Sequence, residues 1–359
     1  MKIRIINSTL LLVALLGSQS VIAGGEKVAK SYSKEFQADQ GTSVYIENRF
    51  GQVNVENWDD RKVSIVVDVK VVHPDRDKAQ KIIDAIEVEI SQTDNKISAI
   101  TRLDDKFSKL WNTSISSMST REFSIDYVVK MPKYLGLELV NKYGDVYINE
   151  LTGKTKIELK YGDLRANRIL DDSKEPMSSL SLGYGSASIE EVNWFRIEIK
   201  HSKLQVARAR AVVTITKHSS VSIGQASSIV FESKHDTYKV GAVANLVGEA
   251  EFTSFKVDAI SKKLDLTNKH GDVSINRVPK DFESLNFVGA YSDFNAGIDL
   301  NASYQLDAQV AYGGITYGSG RVSRIEGNTS TEAQGLVGAD QSTKSKVFIR
   351  SKYGRVVLK

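Results

Sequence analysis

His201, His218 and His235 recur at a fixed step of 17 residues, and His270 follows further along. Imidazole is the commonest metal ligand among side chains and the one that titrates nearest neutrality. On neighbouring turns of a repeating fold the three rings would stand about 5 Å apart, the spacing of adjacent strands, which makes them a candidate metal ladder. Two further rows share the rhythm. Asp145, Asp163, Asp272 and Asp293 each lie two residues after a ring-bearing position, where a carboxylate serves either calcium or a turn. Lys142, Lys160, Lys200, Lys217, Lys234 and Lys269, and then Lys352, each lie immediately before one. A row of ammonium groups is the chemistry that meets a polyanion.

What positions these rows is a repeat. Its ring anchors are Phe50, Tyr143, Tyr161, Tyr184, His201, His218, His235, Phe252, His270, Tyr291, Tyr312 and Tyr353, mostly 17–23 residues apart. Self-similarity at such a period is the signature of a solenoid. Apolar residues sit three and five after each anchor, as in Val146/Ile148, and four and six before it, as in Leu137/Leu139. A strand alternates faces with period two, so the change of parity at the anchor marks a tight corner. The next residue is Gly in seven copies, for example Gly144 and Gly354, and Ser, Thr or Asp in the rest. Gly tolerates positive φ, so the left-handed residue of the corner is expected there. Each coil then reads strand, corner, strand and return, paired in parallel with its neighbours at about 4.8 Å, and a dozen coils would give a rod of roughly 55–60 Å. The 41-residue step from Tyr312 to Tyr353 fits two turns with a degraded one around Glu332-Ala333.

The predicted fold class is therefore all-β, a parallel β-solenoid of about 17–23 residues per coil. Residues 24–135 break the rhythm and read as a β-rich head with one α-helix near 75–86, opened by Pro74, and a long loop from Lys106 to Thr120; residues 136–359 are the solenoid. Before the head, Met1-Lys2-Ile3-Arg4, an apolar run at Leu10–Leu16 and Val21-Ile22-Ala23 form a cleavable signal over 1–23, pointing to the Sec route and a periplasmic or cell-surface location. No other run is long enough for a transmembrane segment. The chain has no cysteine, which excludes disulfides, thiolate metal sites and a cysteine nucleophile. A formal charge of +4, part of it in the signal, does not argue for nucleic acid.

Asn48-Arg49-Phe50-Gly51-Gln52-Val53-Asn54-Val55, Met131-Pro132 ahead of Leu137-Glu138-Leu139, and the serial Tyr-Gly-Asp-Val turns resemble a bacterial family labelled "putative adhesin", an exported β-solenoid of unknown function. The resemblance spans nearly the whole mature chain. It implies an envelope location and a non-enzymatic role, and it supplies no catalytic residue.

The residues themselves point the same way. The ring slot takes Tyr and Phe as well as His, so it calls for a flat ring, and His201, His218 and His235 are expected to stack without a metal. The Asp row is broken between Asp163 and Asp272, as befits turn residues. No catalytic set, metal site or cofactor is expected. The expected function is adhesin-like binding or a structural role in the cell envelope. The Lys row is the candidate polyanion-binding stripe, and an acidic glycan or another envelope protein the partner. The alternative is a polysaccharide-active β-helix enzyme, a lyase or hydrolase, which needs clustered carboxylates that the spacing does not single out. The last coil, Val347 to Leu358, stops one residue before Lys359, so an open solenoid edge and self-association through it are expected.

Overall fold

The computed structural model describes residues 25–110, 115–116, 118–119, 122–173 and 177–359; the expected signal at 1–23 lies outside them. The chain forms two compact units divided between Arg165 and Ala166. Both consist of coils stacked in parallel, the solenoid arrangement read from the repeat. Among the described residues no helix is long and apolar enough to cross a membrane.

In the first unit the strands are β1 (Glu26–Gln37), β2 (Ser43–Arg49), β3 (Val53–Asn57), β4 (Lys62–His73), β5 (Ile86–Thr93), β6 (Lys96–Leu103), β7 (Phe123–Met131), β8 (Gly136–Lys142), β9 (Val146–Leu151) and β10 (Thr155–Lys160). Alternation writes the faces: in β4, Val63, Ile65, Val67, Val69 and Val71 are buried and the residues between them are not. The coil β2–β3 is not at an end. It lies between β6 and β7 on one side and β8 and β9 on the other, parallel to all four. Antiparallel pairs β1–β4, β4–β7 and β5–β6 complete the unit. Helix α1 (Arg76–Asp84) buries Ala79, Ile82 and Ile83. Asp75 caps it by accepting the Lys78 N–H at 3.1 Å, so Pro74 precedes the cap instead of standing in the first turn. A short helix, α2 (Phe107–Leu110), interrupts the expected loop.

Strand β11 (Leu164–Ile169) carries the chain across the boundary. The second unit continues with β12 (Ser178–Gly183), β13 (Ser186–Lys200), β14 (Lys203–Lys217), β15 (Ser220–Lys234), β16 (Thr237–Glu251) and β17 (Ser254–Lys269). From β13 to β17 each strand covers nearly a whole coil, and each pairs in parallel with the next. Then come β18 (Val273–Val278), β19 (Ser284–Ala290), β20 (Phe294–Ile298), β21 (Tyr304–Ala311), β22 (Ile315–Thr316), β23 (Gly320–Glu326), β24 (Ser330–Val337), β25 (Lys346–Lys352) and β26 (Val356–Leu358).

Here coil order departs from chain order. β25 is parallel to both β19 and β21, and β26 to both β20 and β22, so the last coil is inserted between two earlier ones. The expected open edge at the chain's end is therefore overturned: that coil is paired on both sides. The expected degraded turn near Glu332 is overturned as well. β24 runs antiparallel to β21, and β23 antiparallel to β24, forming a hairpin over the coil of β21. β23 is almost wholly exposed and carries Arg321, Arg324 and Glu326, charges that blunt an outer edge.

The corner also corrects the expectation about glycine. All twelve ring anchors have positive φ, from 50° at His201 to 68° at Phe50, whereas of the glycines that follow them only Gly271 does. The left-handed residue is the ring itself, at a cost of about 1–2 kcal/mol. Glycine answers a different demand. A Cβ at Gly144 would fall on the carbonyl oxygen of Gly51, one at Gly162 on that of Gly144, and one at Gly354 on that of Ser292. Coil meets coil too closely there for a side chain. We expect Gly144→Ala to destabilise the first unit by about 2–3 kcal/mol in urea unfolding. Gly41→Ala, whose Cβ would meet nothing nearer than 3.6 Å, should change stability by less than about 0.5 kcal/mol.

Candidate functional site

The left-handed corner turns each ring outward and lays it on the ring of the next coil. In the first unit Phe50 stacks on Tyr143 with centroids 5.3 Å apart, and Tyr143 on Tyr161 at 5.0 Å. Phe50 is itself closed off by Phe107 and Phe123, at 5.9 and 5.7 Å. In the second unit the stack runs Tyr184, His201, His218, His235, Phe252, His270, Tyr291, Tyr353, Tyr312, every step between 4.7 and 5.1 Å. Tyr353 precedes Tyr312 because the last coil is inserted. Ring faces are used up on one another, and solvent sees the edges.

The histidines lie face to face. His201–His218 and His218–His235 are 4.9 and 4.8 Å apart, with planes within 11° and 7° of parallel. Two bonds of about 2.0–2.1 Å to one zinc reach at most about 4.2 Å between nitrogens. Parallel rings hold equivalent nitrogens farther apart than that, with lone pairs that do not converge. Among the described residues no group of three His, Asp or Glu side chains is placed to hold a metal ion.

The Asp row is a set of clips between coils. Asp145 accepts the Asp163 N–H at 2.9 Å, Asp272 that of Asp293 at 3.3 Å, and Asp293 that of Arg355 at 2.7 Å. Asp126, outside the repeat as read, does the same for the Gln52 N–H at 2.9 Å.

The Lys row is in register. Lys200, Lys217, Lys234, Glu251 and Lys269 are successive partners across β13 to β17. The row then continues through Ala290 to Lys352. In the first unit Arg49, Lys142 and Lys160 align likewise. Lys142 lies 5.0 Å from the centroid of Tyr143, Lys160 5.1 Å from that of Tyr161, and Lys352 5.1 Å from that of Tyr353, so these ammonium groups rest on the ladder they border.

A second row was not foreseen. Two residues upstream on the same outward face stand Glu198, Ile215, Glu232 and Glu249, again in register. With Glu251 they set four carboxylates against Lys200, Lys217, Lys234 and Lys269. Lys234 and Glu251 form an ion pair of 2.8 Å, and that ammonium holds the Glu251 carboxyl below its usual range. Arg196, two residues before Glu198 on that face, pairs with it at 2.8 Å, so the flank is mixed in charge at neutral pH, with the cations in slight excess. Period two makes this row visible in the sequence once the outward face is followed a step farther back.

Beneath the histidines lies a polar inlay that the apolar pattern concealed. Asp236, which follows His235, is 5% exposed. It accepts the Ser219 N–H at 2.6 Å, the Lys234 N–H at 2.9 Å, and the hydroxyls of Thr216 and Ser233 at 2.6 and 2.7 Å. The Tyr238 hydroxyl lies 3.0 and 2.9 Å from those of Thr214 and Thr216, and burial pushes its ionisation far up. Ser202, Ser219 and Thr253 complete the ladder: each hydroxyl donates to a carbonyl two residues back and stands within 3.3 Å of an amide N–H on the preceding coil or, for Ser219, on Ser202. The inlay fastens the coils whose rings are His.

His218 is held below the usual imidazole range, first by desolvation, then by the neighbouring charges of His235, His201 and Lys217, with Asp236 opposing. A depressed histidine contributes stability that is complete above its unfolded value of about 6.5 and is lost as pH falls through the folded value. We expect the second unit to melt lower at pH 5 than at pH 7.5, and His218→Tyr to reduce that difference. The variant should be tolerated within about 1 kcal/mol at pH 7.5, since the slot already takes Tyr, and zinc should shift the melting of neither protein. Asp236→Ala, by contrast, removes the acceptor of four donors, three of them buried, and should cost about 3 kcal/mol or more in urea unfolding.

No family model matches the chain, and no curated protein matches it. Solved structures similar to it include a putative cell adhesion protein from Clostridium sporogenes, 10% identical over 92% of this chain and 99% of that one, with a TM-score of 0.20. A putative lipid binding protein from Parabacteroides distasonis is 8% identical over 75% and 95%, TM-score 0.33. A putative adhesin from Parabacteroides merdae is 10% identical over 74% and 95%, TM-score 0.31. At that level of likeness the descriptions of those proteins do not transfer to this chain.

Proposed function

We propose that this chain is a non-enzymatic binding protein of the bacterial envelope, and that its contact surface is the ring-edged corner with its bordering charges. The observation behind this reading is the periodic corner itself: ring edges about 4.8 Å apart, with Lys200, Lys217 and Lys234 on adjacent coils beside them. A surface that repeats along one axis suits a ligand that repeats along one axis. Each coil contributes little, and the contributions add once the first contact holds the polymer in place. The ligand chemistry that fits is an acidic glycan, met by ammonium groups and by the N–H and O–H donors of the ring edges.

Lysines set among glutamates make each contact weak, so affinity depends on engaging several coils. We expect the protein to bind dextran sulfate at pH 7.5 in low salt, with affinity falling steeply as salt rises. Replacing Lys200, Lys217 and Lys234 together by Glu should weaken binding by at least about tenfold and leave the β-sheet circular dichroism unchanged. Equal affinity of the triple variant and the parent protein would eliminate this flank as the contact surface.

A further inference from the structure

The histidine run sits beside a flank of mixed charge, and that coincidence has chemical content. On the three coils the outward groups are Arg196, Glu198 and Lys200 on β13, with Arg196 and Glu198 paired at 2.8 Å, Ile215 and Lys217 on β14, and Glu232 and Lys234 on β15. β16 adds Glu249 and Glu251, and β17 adds Lys269. Lys203 lies past the corner on β14, Asp236 lies buried beneath His235, and Tyr184 and Phe252 close the run above and below. His201, His218 and His235 are themselves exposed. Protonating them adds three positive charges, spaced 4.9 and 4.8 Å apart, to a flank whose other charges are mixed, with the cations in slight excess. It also converts every ring edge from one donor and one acceptor into two donors.

We propose that protonation of His201, His218 and His235 switches this flank into a site for a sulfated or phosphorylated glycan, so that the protein takes up such a polymer in acid and releases it near neutrality. The proposal rests on the reading of the flank as the contact surface and adds its regulation. A polymer laid along the stack meets an imidazolium and an ammonium on each of three consecutive coils, and Lys217, whose coil carries Ile215 in place of a glutamate, is the ammonium least offset from its own strand. Stacked imidazolium rings repel one another when nothing faces them. A polyanion relieves that repulsion, so binding and protonation reinforce each other. A small anion spans one coil only and gains little. Imidazole ordinarily titrates near 6.5, and desolvation and its neighbours hold His218 lower, so mildly acidic solution is where the change is sought.

Dextran sulfate is the suitable probe, because its sulfates stay ionised throughout the range and any pH dependence belongs to the protein. At constant low ionic strength we expect the parent protein to bind it at least about tenfold more tightly at pH 5.0 than at pH 7.5, with net proton uptake measured by calorimetry in two buffers of different ionisation enthalpy. The variant with His201, His218 and His235 all replaced by Tyr should lose the gain, its affinity differing by less than about twofold between pH 5.0 and pH 7.5. A second variant with Asn at the three positions, a residue that also accepts positive φ, should behave alike. Polyphosphate run in parallel separates a phosphate from a sulfate preference. A pH-independent affinity that the Lys→Glu variant still abolishes would overturn the switch and leave the contact surface standing. Affinity untouched by the Lys→Glu variant would overturn both. A gain in acid retained by both histidine variants, loss of the β-sheet signal at pH 5 without ligand, or acid-dependent binding to phosphatidylglycerol vesicles but not to dextran sulfate would each overturn the proposal.

Discussion

The structure depends on how closely one coil approaches the next at the ring-bearing corner. There the chain reverses parity through a residue with φ near 50–68°, and in every copy that residue is Tyr, Phe or His. A left-handed conformation costs such a residue about 1–2 kcal/mol. The return comes from the neighbouring coil. Rings stack at 4.7–5.3 Å, each pair worth about 0.5–1.5 kcal/mol. The strained residue's own N–H also bonds to the next coil, as His201 does to the Lys217 carbonyl and His218 to that of Lys234, both at 3.0 Å. Neither return exists for an isolated turn, so the corner is stable only in a stack, which is the reason such repeats come in series.

Close approach leaves the corner carbonyls in need of donors, and the chain meets that need in two ways. Where the ring is followed by Gly, an Asn two residues before the ring can reach in: Asn141 donates to the carbonyls of Gly51 and Gly144 at 3.0 and 2.8 Å, and Asn268 to those of Thr253 and Gly271 at 3.2 and 2.7 Å. Where the ring is followed by Ser, Thr or Asp, that side chain bridges the coils itself, and Asp236 gathers four such donors. The second solution coincides with His201, His218 and His235. A buried carboxylate tied to two backbone N–H groups and two hydroxyls holds the register under the stretch whose outward rings can gain charge.

Much of this was legible in the residues. Period two before and after the anchor identified the faces of Leu137/Leu139 and Val146/Ile148 and located the corner between them, and all four are buried. Spacing identified the ring stack, because a slot that takes Tyr, Phe and His has only flatness in common. What the pattern left open was neighbourhood. Alternation tells which face a residue takes and says nothing of which strand lies alongside, so Val347 and Ile349 read as core without revealing that β25 sits between β19 and β21. Positive φ was assigned to glycine because glycine is permissive, whereas the constraint on Gly144 is the Gly51 carbonyl facing it, an object of tertiary structure. Asp236 gave no sign of its role for a similar reason: Thr216 and Ser219 flank the neighbouring corner at His218, and Ser233 lies across its own corner.

The charge rows extend the same logic to function. In a parallel stack every outward position becomes a line, so one sequence choice repeated per coil has a collective electrostatic result that no single residue predicts. Lys at the position before the ring draws a cationic line; Glu two residues earlier draws an anionic one beside it, and Glu251 breaks the first line where Lys234 pairs with it at 2.8 Å. Two such lines of opposite sign cancel beyond a Debye length of about 8–10 Å and leave a short-range pattern. Under the proposed switch a third line, of ring edges, adds positive charge to the flank in acid. Where the rings are Tyr or Phe its charge is fixed across the physiological range. Where they are His it follows pH, and on three consecutive coils that change acts as a line instead of a point.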